Sequence, residues 1–155
     1  MKTILQKIQR EEHGRCFMCG RDNERGFKLD FNATADGGLE AFLGPSDELA
    51  GYSNVMHGGV MSALFDSVMT NCLFARGIKA LTAELKTRFL VPVQTNAAVQ
   101  LRACIERCYG NYYILKATLF QEGILKAKAT GKFVAFSKQT ARANKPGREK
   151  GLKGP

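Results

Sequence analysis

The stretch His57 to Arg76, HGGVMSALFDSVMTNCLFAR, constrains the fold more than any other part of the chain. Its 20 residues make a helix about 30 Å long, enough to cross a small domain. His57, Gly58 and Gly59 open it, and Gly77 follows as a C′ stop. Between these ends the residues are apolar or small on nearly every side, the pattern of a helix buried all round. Asp66 is the one charge inside it. At about 100° per residue, Ser62, Asp66 and Thr70 share one narrow polar stripe, with Gly59 on the same side toward the N-terminus. A buried carboxylate is costly unless it is paired or used. Two readings stay open on these residues: Asp66 bonded structurally to Ser62, Thr70 or backbone, or Asp66 facing a cleft as a catalytic group. The glycines favour the second. A helix N-terminus offers unpaired N–H groups and a positive dipole end, and glycine lets a ligand oxygen come close to them. A carbonyl polarised there, with a carboxylate further along the same side, is the layout of an acyl-transfer site.

The flanking sequence is strand-like. Phe27, Leu29, Phe31 and Ala33 alternate with polar residues, Asp36-Gly37-Gly38 reads as a hairpin turn, and Leu39, Ala41 and Leu43 continue beyond it. After the helix, Leu81, Ala83, Leu85, Phe89 and Val91 alternate with Thr82, Glu84, Lys86 and Arg88 up to Pro92. One further strand at 99–106 and a hairpin of 112–120 with 124–136 follow, with turn residues at Gly110-Asn111 and Gln121-Glu122-Gly123. Residues 1–15 read as a short helix with Ile4, Leu5 and Ile8 on its apolar side, and 16–26 as a loop. Hairpin-length connections imply antiparallel pairing. The only large apolar partner for such a sheet is the central helix, so the expected fold is α+β, a curved antiparallel sheet wrapped around one long helix. An exposed sheet edge would be covered in a dimer that joins two sheets.

The 155 residues suit one domain, taken as 1–137. Of the net charge of +9, +5 sits in residues 138–155, where six basic residues face one acidic residue, Glu149. That tail has almost no large apolar residue, and disorder is its expected state. It lacks the aromatic interleaving of a specific nucleic-acid binder. The N-terminus has no apolar run, and Asp66, Thr70 and Asn71 interrupt the central helix as a membrane span; the expectation is a cytoplasmic protein without membrane contact. Five cysteines do not suggest a disulfide framework. Cys16 and Cys19 form a C-x-x-C with His13 just before it, but a closed zinc site needs about four ligands, so free thiols and no metal are expected. Cys104 and Cys108 are too far apart along a strand to pair. No Cys or Ser stands with a neighbouring base as a nucleophile.

Three stretches together resemble the hot-dog fold acyl-CoA thioesterases, in particular the phenylacetyl-CoA type. They are Cys16-Phe17-Met18-Cys19-Gly20 with Gly26-Phe27-Lys28-Leu29, the segment GYSNVMHGGVMSALFDS from Gly51 to Ser67, and the strand from Thr82 to Pro92. The likeness covers roughly residues 16–137, most of one domain. It implies hydrolysis of an acyl-CoA without a cofactor, in a homodimer or a tetramer of two dimers. A backbone N–H at Gly58 or Gly59 would hold the thioester carbonyl. Asp66 of the other subunit would serve as general base or nucleophile, Thr82 would orient water or the carboxylate, and His57 would position the thioester. Thr70 matches a hydroxyl position of some members, and with Ser62 and Asn54 forms the set expected to bind substrate. Many members carry Asn or Gln six residues before the His, where this chain has Gly51; Asn54 stands nearby. A non-catalytic acyl-CoA binding module, or a hydratase of the acyl chain, would use the same fold.

Overall fold

The computed structural model describes residues 2–136; the basic tail expected at 138–155 lies outside the described residues. Two helices, α1 (Lys2–Glu12) and α2 (Gly58–Phe74), accompany eight strands: β1 (Phe31–Ala33), β2 (Leu39–Leu43), β3 (Ala50–Tyr52), β4 (Val55–Met56), β5 (Ala80–Phe89), β6 (Val99–Tyr109), β7 (Tyr112–Gln121) and β8 (Ile124–Ala135). Six of them form one antiparallel sheet in the order β1-β2-β6-β7-β8-β5, and β3 and β4 form a separate small hairpin. The fold class is α+β, a hot-dog arrangement of sheet around helix.

Sequence chemistry sets both ends of α2. His57 is the N-cap, with φ −63° and ψ 132°, and its Nδ1 accepts the Gly59 N–H. At the other end Gly77 takes φ +78°, its N–H donates to Phe74 O, and the Ile78 N–H donates to Leu73 O. That bond pair is a Schellman stop, which a residue with a Cβ adopts only with strain. Between the ends Leu64, Phe65, Val68, Met69, Cys72 and Leu73 are fully buried, packed with Leu39, Leu101, Leu115, Leu119 and Phe133 of the sheet. The sheet lets the helix approach closely at Gly131, where a Cβ would stand 2.7 Å from Met69 Sδ and 2.6 Å from Phe133 Cε2.

Three details differ from the reading of the sequence. The first strand begins at Phe31 and not at Phe27. Lys28 takes φ +51°, and the Phe27 and Leu29 N–H groups bond to Phe17 O and Met18 O of the preceding loop. Ile4, read as part of the apolar side of α1, is 48% exposed, while Leu5 and Ile8 are buried. The segment before α2 holds the β3–β4 hairpin, too short to leave an alternation pattern.

The strand after α2 also departs from a simple alternation. β5 is a sheet edge, and Leu81, Phe89, Leu90 and Val91 at and beyond it are exposed. Its pairing with β8 slips between Thr82 and Glu84: Thr82 faces Phe133, Glu84 faces Lys132, and Ala83 has no partner between them. A one-residue bulge reverses which side of the sheet the flanking residues face.

Candidate active site

Asp66 lies half-buried near the middle of α2. Thr82 Oγ1 donates a 2.6 Å hydrogen bond to its Oδ1. The partner comes from β5 and not from the neighbouring hydroxyls on the helix. Ser62 instead donates to Gly58 O at 3.0 Å and meets Thr87 Oγ1 at 3.4 Å. Thr70, the third member of the polar stripe, is buried in the core. The stripe therefore ends inside the protein, and only its N-terminal two-thirds faces β5.

At the N-terminus of α2, His57 Nδ1 takes the Gly59 N–H at 2.8 Å. That bond occupies one of the two amides expected to bind a carbonyl. The Gly58 N–H has no acceptor among the described residues. A cavity of about 410 Å3 opens here, lined by Tyr52, Met56, His57, Gly58 and Met61 on one side and Phe89, Leu90 and Val91 on the other. The aromatic and aliphatic residues from β5 and its extension were not read as site residues from the sequence, because their exposure follows from the strand's edge position. Gly51 also borders the cavity, and a Cβ there would stand 3.1 Å from His57 Cα and 3.2 Å from its Cδ2. In this chain the His57 ring fills the space that a side chain at position 51 would need. Asn54 sits at the tip of the β3–β4 hairpin with φ +61°. Its carbonyl accepts the Thr95 N–H at 3.1 Å, and it does not line the cavity.

The sequence-predicted residues thus fall into two groups. His57, Gly58 and Gly59 cluster at the helix start. Asp66 stands eight residues beyond Gly58 on the helix, about 12 Å by helical rise, with Thr82 of β5 bonded to it. Neither Asp66 nor Thr82 lines the cavity at Gly58.

A third cluster lies where α1 meets α2. His13, Cys16 and Cys19 bring their ligand atoms within 4.8 Å of one another. The three residues read as loop thiols and a nearby histidine are one group in space. Burial lowers the His13 pKa, against the opposing pull of Asp66 and Glu12. Burial pushes the Cys19 thiol up to about 12, and the neighbouring Cys16 adds to the shift. A cavity of about 180 Å3 beside Gln9, Arg10 and Cys19 adjoins this cluster.

Residues 53–127 match the family model of the thioesterase superfamily. The matched stretch is just under half of the chain, and it spans α2 and the strands β5 to β7 of the hot-dog fold. Solved structures agree on the fold. A thioesterase superfamily protein, RHA08564, is 21% identical with a TM-score of 0.71, over 76% of this chain and 61% of that one. The chain therefore spans less than two-thirds of that relative's length. A phenylacetic acid degradation-related protein from Ralstonia eutropha JMP134 is 24% identical with a TM-score of 0.68, over 84% of this chain and 98% of that one. A hypothetical thioesterase protein from Streptococcus pneumoniae TIGR4, solved with coenzyme A, is 14% identical with a TM-score of 0.66, over 70% of this chain and 89% of that one. No curated protein matches the sequence. Among the described residues, no helix is long and apolar enough to cross a membrane.

Proposed function

We propose that this protein hydrolyses an acyl-CoA thioester to the free acid and CoA, in a site shared by two copies of the chain. The observation that carries the reading is the Asp66 carboxylate, the single charge of an apolar helix, held by Thr82 at 2.6 Å. Thr82 donates to one carboxylate oxygen and leaves the other free to accept a proton from water. Water, deprotonated by Asp66, attacks the thioester carbon. The carbonyl oxygen becomes an oxyanion at the Gly58 N–H and the positive end of α2. As the C–S bond breaks, the sulfur takes the proton from Asp66 and leaves as the CoA thiol. His57 holds the helix start rigid through its bond to Gly59.

The separation along the helix argues for two chains. An oxyanion at Gly58 is about 12 Å from Asp66 of the same helix by axial rise, whereas proton transfer needs contact near 3 Å. A second copy, docked by the apolar residues exposed on and after β5, would bring its own Asp66 to the cavity at Gly58. Edge strands of this kind are covered in natural proteins. The family resemblance implies the same arrangement, and the coenzyme A in the Streptococcus pneumoniae relative supports a CoA thioester as the substrate class.

Complementation tests both claims. Gly58→Pro removes the N–H at the first helical position, where proline is tolerated, and His57 already has the extended backbone a following proline requires. The Phe89 ring, half-exposed and 3.3 Å from a Cβ at Gly58, has room to yield. Gly58→Pro and Asp66→Ala are each expected to lose thiol release on a panel of acyl-CoAs. Mixed after subunit exchange, they recover about one quarter of wild-type activity, since half the dimers are mixed and each has one complete site. Binding of acyl-CoA with no thiol release by the wild type would instead mark a non-catalytic binding module. Activity in both single variants would remove the two residues from the chemistry.

A further inference from the structure

We propose that His13, Cys16 and Cys19 bind one zinc ion, with the fourth position open to water, at the joint between α1 and α2. None of the three ligands takes part in the proposed thioester chemistry, and the inference does not rest on that reading.

The backbone makes the cluster. His13 directly follows α1 and its N–H still bonds to Gln9 O. The Cys16 N–H then donates to His13 O at 2.9 Å and the Gly20 N–H to Cys16 O at 2.8 Å, closing two turns that carry the three side chains to one point. The second turn has no room for a side chain at Gly20, where a Cβ would lie 2.4 Å from Cys16 N and 2.5 Å from Gly14 O. The Phe27 and Leu29 N–H groups pin the loop from the other side.

The distances suit a metal. With bonds of about 2.3 Å to sulfur and about 2.1 Å to nitrogen, a tetrahedral zinc site has S···N edges of roughly 3.6 Å and S···S edges of roughly 3.8 Å. Cys19 Sγ and His13 Nδ1 are 3.7 Å apart, and all three ligand atoms fall within 4.8 Å. Two sulfurs and an imidazole select zinc over magnesium or calcium. His13 and Cys16 are half-buried, so the fourth position is within reach of solvent.

The surroundings point the same way. Asn71 is fully buried on α2, and its Nδ2 donates to Cys19 Sγ at 3.7 Å. The amide is fixed in that sense by two more bonds: its Oδ1 accepts from Gln9 Nε2 at 2.7 Å, and its Nδ2 donates to Ser67 O at 2.8 Å. A donor aimed at sulfur favours a thiolate, and such partners around a metal ligand orient it and tune its affinity. The His13 ring meets Phe74 edge-on at 4.7 Å, which holds its plane. On binding, Cys16 and Cys19 each release a proton to solvent and the imidazole binds in its neutral form. The ion would tie the end of α1 to the loop, and the Asn71 bond to Cys19 joins that loop to α2.

The test uses the full chain, reduced, stripped by a chelator and titrated with Zn2+ alone and, in parallel, with Co2+ alone. The expected result is saturation at one ion per chain. The cobalt form should show thiolate-to-metal charge transfer in the near ultraviolet and the intense visible bands of a tetrahedral site. The zinc form should melt at a higher temperature than the stripped form. Because Cys19 is buried and its replacement could unfold the loop, Cys16→Ser and His13→Asn carry the mutational arm, with circular dichroism as the fold check. Each should weaken zinc binding by at least about 10-fold, and Cys16→Ser should reduce the charge-transfer band. Cys104→Ser and Cys108→Ser, both exposed and on β6, should keep the stoichiometry of one. Absence of saturable uptake by the reduced wild type, a cobalt spectrum without the thiolate band, or unchanged binding in folded Cys16→Ser and His13→Asn would overturn the proposal.

Discussion

Thr82 and Thr87 are five residues apart in β5, yet both reach α2. Thr82 bonds Asp66 and Thr87 meets Ser62. An odd separation in a regular strand puts two side chains on opposite faces. The bulge at Ala83 reverses the alternation between them and turns Thr82 toward the carboxylate. Bulges that aim a side chain at a site are a recurring use of this irregularity.

In the proposed mechanism that geometry gives Thr82 a positioning role with a measurable signature. Thr82→Val keeps the shape and removes the donor. It should lower kcat by about 10- to 100-fold, the cost of a misplaced catalytic group, while KM for acyl-CoA stays close to wild type. Thr82→Ser should restore most of the rate. Steady-state kinetics on one acyl-CoA separates these outcomes, and an unchanged kcat in Thr82→Val would show that Asp66 needs no such support.

Asp66→Asn keeps the acceptor for Thr82 and removes the proposed base. Its kcat should fall by about 10²–10⁴-fold, the usual contribution of a positioned general base, with little change in thermal stability. A variant that unfolds more easily and loses activity in proportion would instead assign Asp66 a structural role.

His57→Ala removes the cap of α2. The Gly59 N–H loses its partner, and unfolding free energy should drop by about 1 kcal/mol, the typical cost of a lost N-cap. Urea denaturation followed by circular dichroism measures this. Equal stability would mean that water replaces the imidazole without cost.

Gly131→Ala forces a methyl group against Met69 Sδ and the Phe133 ring. Both neighbours are fully buried, so the chain should lose about 1–3 kcal/mol, the range for an overpacked core. Gly44→Ala, where nothing lies within 4 Å, is the control and should change little.

Asp36 in the β1–β2 turn accepts hydrogen bonds from Thr34 Oγ1 and the Gly38 N–H. These bonds hold its carboxyl below its ordinary pKa of 3.8. A carboxyl with a lower pKa in the folded chain stabilises the fold above the unfolded value. That contribution is lost as pH falls from about 3.8 through the lower folded value. Asp36→Ala should therefore be less stable than wild type at neutral pH, with the gap narrowing in acid below that window. A gap independent of pH would assign the effect to the turn's shape.

Much of this was legible from residue order. The long apolar helix with one carboxylate, its glycine stop and the hairpin turns follow from local rules, because capping and alternation act over a few residues. The family likeness rests on contiguous motifs for the same reason. Thr82 entered only through that likeness: alternation put it on the face opposite Leu85, and no pattern in the sequence marks Ala83 as the residue left out of the pairing. The Asn71 link to Gln9 and Cys19 was also invisible, because its members are 62 and 52 residues apart.

The sequence by itself determined that a buried helix would carry Asp66 and begin at His57, since burial and capping depend on side-chain chemistry and short spacing. Only the tertiary structure decided which hydroxyl holds that carboxylate and how Asn71 links α1 to the Cys19 loop. Both depend on how separate segments pack, through a register slip in β5 and a buried amide whose partners lie far away in the sequence. No local spacing encodes them.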